Sequence, residues 1–166
     1  MYAERNIELI VNRRVASIDA VSHSLQLEDG SRRDFGALLI ATGAEPVRLP
    51  VPGGDASHVH YLRSMADSKA IITRAAGVKQ AVVIGASFIG LEVAASLRAR
   101  EIAVHVVAPE QRPMERILGP EVGAFVQQLH ESHGVTFHLG PSVSRIERSR
   151  VILDDGATIV AAIEAA

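Results

Sequence analysis

The run "AVVIGASFIGLEVAASLRARE" places Gly85, Ala86, Ser87, Phe88, Ile89 and Gly90 between a strand-like apolar stretch and a helix-like one. Dinucleotide-binding turns read G-x-G-x-x-G. The first glycine lets the chain turn sharply out of the strand. The second lets the backbone approach a pyrophosphate, and the third lets the helix pack close to the strands. The helix N-terminus then offers free N–H groups and partial positive charge to the phosphates. Here Ser87 occupies the middle position. Its Cβ narrows the approach, yet serine is a good helix cap and its hydroxyl can donate to a phosphate oxygen. The bare pattern is a weak signal, open between a cofactor turn and a structural one. Context favours the first, because a second strand completes a βαβ unit of about 30 residues.

That second strand should end in an acid that holds the adenosine ribose. It ends in "HVVAPE", with Ala108 at the acid position and Glu110 two residues later. Glu110 can reach the ribose from the loop. Alternatively, Arg112 or Arg116 can meet a 2′-phosphate, or both can be solvated loop charges. NAD and NADP both remain open. Glu92 reads either as an acid favoured by the helix dipole or as a polar contact close to the nicotinamide. No metal is expected: of the seven histidines, His58 with His60 and His130 with His133 lack a recognised ligand spacing. The turn serine also lacks the G-x-S-x-G spacing of a nucleophile elbow.

The elements that must position these residues follow from pattern. Apolar runs at 7–11 and 37–43 read as strands, the second buried on both faces. Residues 15–21 and 24–31 alternate and end at Asp29-Gly30, a hairpin signal. Residues 45–55 hold three prolines and two glycines and read as a linker. Helices are expected at 64–76, at 87–100 and from Pro120 to the stop at Gly134; strands are expected at 81–85, 103–108 and 135–139. In the last helix Val122, Phe125, Val126 and Leu129 form one apolar stripe at i, i+3, i+4 and i+7. This order implies an α/β fold with a parallel sheet, helices on both faces and right-handed crossovers.

The two ends of the chain resemble each other. Val15, Ile18 and Asp19 match Val143, Ile146 and Glu147, and "LEDG" matches "LDDG". The similarity suggests two domains of like build, each with a small β-meander; the alternative is chance likeness of generic hairpins, in which D-G turns are common. The second copy stops before a glycine matching the end of "LLIATG", so both ends look cut from a longer chain. A composition of 48% apolar and 22% charged residues suits a packed core. The formal net charge of −2 gives no pull toward nucleic acid. With no cysteine, the chain carries no disulfide and no thiolate chemistry. There is no apolar run of the roughly 18 residues a membrane span needs, and no signal-peptide pattern. A cytoplasmic location is the expectation; the oligomeric state is left open.

In combination, "LLIATGAEPVRLPVPG", "AVVIGASFIGLEVAASLRAR", "PMERILGPEVGAFVQQLHESHGVTFHLG" and "VILDDGATIVA" resemble pyridine nucleotide–disulfide oxidoreductase-type flavoproteins. The subgroup resembled is the ferredoxin reductases and apoptosis-inducing-factor-like, Rieske-associated reductases. The resemblance covers nearly all of the chain. It implies a Rossmann-like FAD/NAD(P)-binding fold in which residues 1–50 belong to the first FAD-domain segment and 53–166 to the NAD(P) domain. It implies Ala41, Thr42 and Gly43 against FAD, residues 85–90 under NAD(P), and Glu92 near nicotinamide and flavin. It implies electron flow from NAD(P)H through flavin to a ferredoxin or Rieske iron–sulfur protein. This chain by itself is expected not to turn over. Alternatives are a flavin-dependent disulfide or peroxide (NADH) reductase of the same wider family, or a non-catalytic nucleotide-sensing Rossmann module.

Overall fold

The computed structural model describes residues 2–160. The chain forms two compact units, Met1–Ala44 and Glu45–Ala166. In the first, β1 (Val15–Asp19), β2 (Ser24–Leu27) and β3 (Arg32–Asp34) make an antiparallel meander in that order. The turn chemistry is local. The Asp19 carboxylate accepts from the Val21 and Ser22 amides at 2.9 and 3.0 Å. Gly30, at φ +84°, closes the next turn by donating to the Leu27 carbonyl at 3.0 Å. The expected strands at 7–11 and 37–43 are not formed. Leu39 and Ile40 are 88% and 64% exposed. A strand buried on both faces needs a sheet to join and layers packed on both sides of it, and the only ladder among the described residues of this unit is the meander.

In the second unit, α1 (Met65–Ala75) begins with a reciprocal cap. Ser64 Oγ accepts from the Asp67 amide at 3.2 Å, and the Asp67 carboxylate accepts from the Ser64 amide at 2.7 Å. Gly77, at φ +81°, follows the helix end. Then come β4 (Gln80–Ile84), α2 (Phe88–Arg98), β5 (Ala103–Ala108), α3 (Glu115–Ser132) and β6 (Val135–Leu139). The strands pair in parallel in the order β4-β5-β6. Val104, Val106 and Ala108 on one face of β5 pack with Ala94 and Leu97 of α2 and with Val135. Val107 faces the other way, onto Val151, Leu153 and Ile159.

Those residues belong to a second meander, β7 (Val143–Glu147), β8 (Arg150–Leu153) and β9 (Thr158–Val160). The repeat seen in sequence is thus a structural repeat. Val15 pairs with Leu27 and Val143 with Leu153, and each first strand carries its bulge just after that pair. The closing bonds match as well: Leu27 N–H to Ser31 at 2.8 Å and Leu153 N–H to Ala157 at 2.9 Å. Among the described residues the meander, rather than a helix, covers the second face of the parallel sheet.

Two local expectations need correction. The stretch at 45–55 is not a free linker but packs on the second meander. The Ile146 amide donates to Pro52 at 2.9 Å, and a Cβ on Gly53 would overlap the Ile146 carbonyl. The last helix starts earlier than Pro120, at Glu115, and kinks at Gly119 (φ 81°, ψ 170°) before Pro120. Its apolar stripe does not face the core: Val122, Phe125 and Leu129 are 44%, 64% and 46% exposed. The helix packs instead through Gly123, where a Cβ would lie 2.7 Å from the Pro113 carbonyl oxygen. Only a residue without a side chain allows that approach, and it turns the stripe away.

Candidate functional site

The glycine turn sits where β4 ends. The Gly85 amide still belongs to the ladder, donating to Val107 at 2.8 Å. At φ +109° the chain then leaves the sheet in a conformation that favours glycine. A Cβ on Gly90 would overlap the Gly85 carbonyl oxygen, and Ala94 one turn later is fully buried. Both small residues let α2 descend onto β4 and β5. The requirements read from sequence for Gly85 and Gly90 are therefore met by backbone geometry.

Ser87 occupies the N-cap of α2 with extended backbone (φ −98°, ψ −173°), and its carbonyl accepts the first helical bond, from Leu91 at 3.0 Å. Its side chain makes no capping bond. The amides of the first turn of α2 thus lack an intrahelical acceptor and a side-chain cap. Ser87, Phe88 and Ile89 are exposed, and Ala86 is buried with its carbonyl accepting from Met114 N–H at 3.0 Å. Glu92 is exposed and lies beyond the first turn of α2.

The loop after β5 is held beside this turn. Ala108 is buried, and the Gly140 amide donates to both the Ala108 and Glu110 carbonyls at 3.0 and 3.1 Å. Pro113 is fully buried. Glu110 is half-buried. Arg112 is tied to Glu115 across 3.5 Å, and Arg116 is exposed. An apolar groove of about 610 Å³ borders the turn on the β4 side, between Tyr61, Arg74, Ile84, Ser87, Phe88 and Glu147. At its margin burial holds the His60 imidazole below its ordinary pKa, with Arg74 and His58 adding to the effect.

Ala41, Thr42 and Gly43 lie in the other unit, exposed and without regular structure, with Gly43 at φ +81°. The pairing of His105 with His138 carries no signal in the sequence. They are 33 residues apart, and only the β5–β6 register brings them within 3.0 Å. No helix among the described residues is long and apolar enough to cross a membrane.

The chain has recognisable relatives. The model of a family described as pyridine nucleotide-disulphide oxidoreductase matches residues 2–164. Monodehydroascorbate reductase 5 of Oryza sativa subsp. japonica is 32% identical over 167 residues, 96% of this chain and 34% of the relative. A solved ferredoxin reductase of Rhodopseudomonas palustris superposes with a TM-score of 0.83 at 36% identity, covering 96% of this chain and 41% of that one. The reductase in a covalent putidaredoxin reductase–putidaredoxin complex gives 0.80 at 33% identity, over 96% and 41%. The chain therefore spans well under half the length of these relatives.

Proposed function

Because the chain belongs to the pyridine nucleotide-disulphide oxidoreductase family, we propose that it is the NAD(P)H-binding part of an FAD-dependent reductase. In this reading the whole protein passes electrons from NAD(P)H through flavin to an iron–sulfur acceptor of ferredoxin or Rieske type. One observation carries the assignment of the turn. Gly85 holds a positive φ that disfavours any side chain and Gly90 an approach that a Cβ would block, while the Ser87 hydroxyl and the first amides of α2 are left uncommitted. Residues that fit a pyrophosphate this way form a phosphate cradle at a helix N-terminus. When bound, the nicotinamide supplies a hydride and the flavin converts that electron pair into single electrons.

The residues of this chain then act by position. The α2 amides and Ser87 hold the pyrophosphate. Glu110, on the loop fixed by Gly140, accepts from the adenosine ribose hydroxyls. Arg112 is paired with Glu115 while Arg116 is exposed, so the loop accommodates NAD and also offers a cation to the 2′-phosphate of NADP. Phe88 and Ile89 shape the path toward the nicotinamide, and Glu92 stands further along the same helix. Ala41, Thr42 and Gly43 contribute to the FAD site of the whole protein. Residues 1–50 belong to the FAD domain and residues 53–166 to the NAD(P) domain, and the protein works in the cytoplasm.

A second reading concerns the acceptor. Relatives named monodehydroascorbate reductases match as well as ferredoxin reductases do, so a small organic acceptor competes with an iron–sulfur protein. Calorimetry of this chain with NADH and NADPH tests the binding claim. Binding of NADH, NADPH or both at millimolar concentration or better is the expected outcome. Absence of binding by either nucleotide contradicts the claim. The 166-residue chain is expected to carry no stoichiometric flavin spectrum.

A further inference from the structure

The β5–β6 register sets His105 opposite Thr136 and Val107 opposite His138. His105 and His138 therefore project from one face of the sheet, the face of Val107 that the second meander covers. His105 Nδ1 lies 3.0 Å from His138 Nε2. The ring centroids are 5.2 Å apart and the planes are tilted by 31°. Both rings are half-buried, and among the described residues neither has a second hydrogen-bond partner. The glycine turn uses neither of them.

We propose that His105 and His138 form a two-imidazole chelate for a divalent cation of the Cu2+ and Ni2+ class. A metal about 2.0–2.1 Å from each nitrogen across a 3.0 Å gap subtends an angle of about 95°. That is the cis angle of a tetragonal or octahedral centre, which suits Cu2+ and Ni2+ better than tetrahedral Zn2+. Without metal the two nitrogens point at each other and share one proton. To chelate, each ring swings its lone pair off that line. This motion uses histidine χ2, a broad torsion, and leaves the strands in place. The strands are anchored by buried Val104, Val106 and Val107. The ring that donated its proton carries it on its outer nitrogen once metal is bound, so neutral rings release no net proton. Among the described residues no third histidine or carboxylate joins the pair. Water, which reaches half-buried rings, fills the remaining positions.

The test is calorimetric titration of the 166-residue chain with CuCl2, NiCl2 and ZnCl2 in a non-coordinating buffer, with thermal unfolding measured alongside. One equivalent of Cu2+ is expected to bind, to raise the melting temperature, and to bind more tightly than Zn2+. His105→Gln and His138→Gln should each lose that equivalent, and His130→Gln should keep it. If His105→Gln does not fold, His138→Gln on the outer strand β6 decides the matter. No saturable equivalent of Cu2+, retention in the His138 variant, or tighter binding of Zn2+ would overturn the proposal.

Discussion

At the residue scale, the two outer glycines of the turn serve for different reasons, and substitution separates them. Alanine at Gly90 puts a Cβ into the Gly85 carbonyl, so α2 must lift off the sheet. Thermal or chemical unfolding should show a loss of about 1–3 kcal/mol, together with lost NADH affinity. Alanine at Gly85 meets no atom within 4 Å but must hold φ +109°, a strain of about 1–2 kcal/mol. Ser87→Ala should leave stability almost unchanged, because the hydroxyl makes no capping bond. Its effect should appear in NADH affinity measured by calorimetry. The roles of Gly85 and Gly90 were legible in the sequence because positive φ and close approach each demand glycine. The tie between Arg112 and Glu115 was not, since a loop sequence does not say which charges meet. Titration gives a further residue-scale outcome. His60, His105 and His130 are each held below 6.5, chiefly by burial. The unfolded chain binds more protons at these positions, so their stability contribution is complete above pH 6.5 and declines as pH falls below it. Urea unfolding at successive pH values should show that decline, and it should shrink in His130→Gln.

At the element scale, the parallel strands at 81–85, 103–108 and 135–139 were readable as short apolar runs separated by helix-length segments. The 37–43 run forms no strand, because an apolar run reports what a strand would bury, not whether neighbours are present. The α3 stripe is largely exposed for a related reason. Periodicity finds an apolar face, but the close approach of Gly123 to the Pro113 carbonyl decides which face packs against the loop after β5. The cap of α1 gives an element-scale prediction. Ser64→Ala removes one half of the reciprocal cap and should cost about 1 kcal/mol, read by chemical unfolding. The Asp67 carboxylate, held below its usual pKa by the Ser64 hydroxyl and the Ser64 and Arg63 amides, favours the fold above pH 3.8. That contribution is lost as pH falls through its lowered value. The Ser64→Ala variant should therefore lose less stability than the parent in that acid range.

At the scale of the whole molecule, both hydrophobic clusters lie in Glu45–Ala166. The repeat of the two meanders was visible as "LEDG" and "LDDG", but only the second has a sheet face beneath it among the described residues. A chain beginning at Glu45 should keep the main unfolding transition within a few degrees of the parent and should keep NADH binding. Circular dichroism and calorimetry check both. The most direct measurement of the central claim is amide NMR of the isotopically labelled chain during NADH titration. The account predicts that the amides of Gly85, Ser87, Phe88 and Ile89 move first and furthest, with the Glu110 loop following. A folded chain in which those amides stay still while NADH is saturating, or in which the shifts cluster away from the turn, would contradict it.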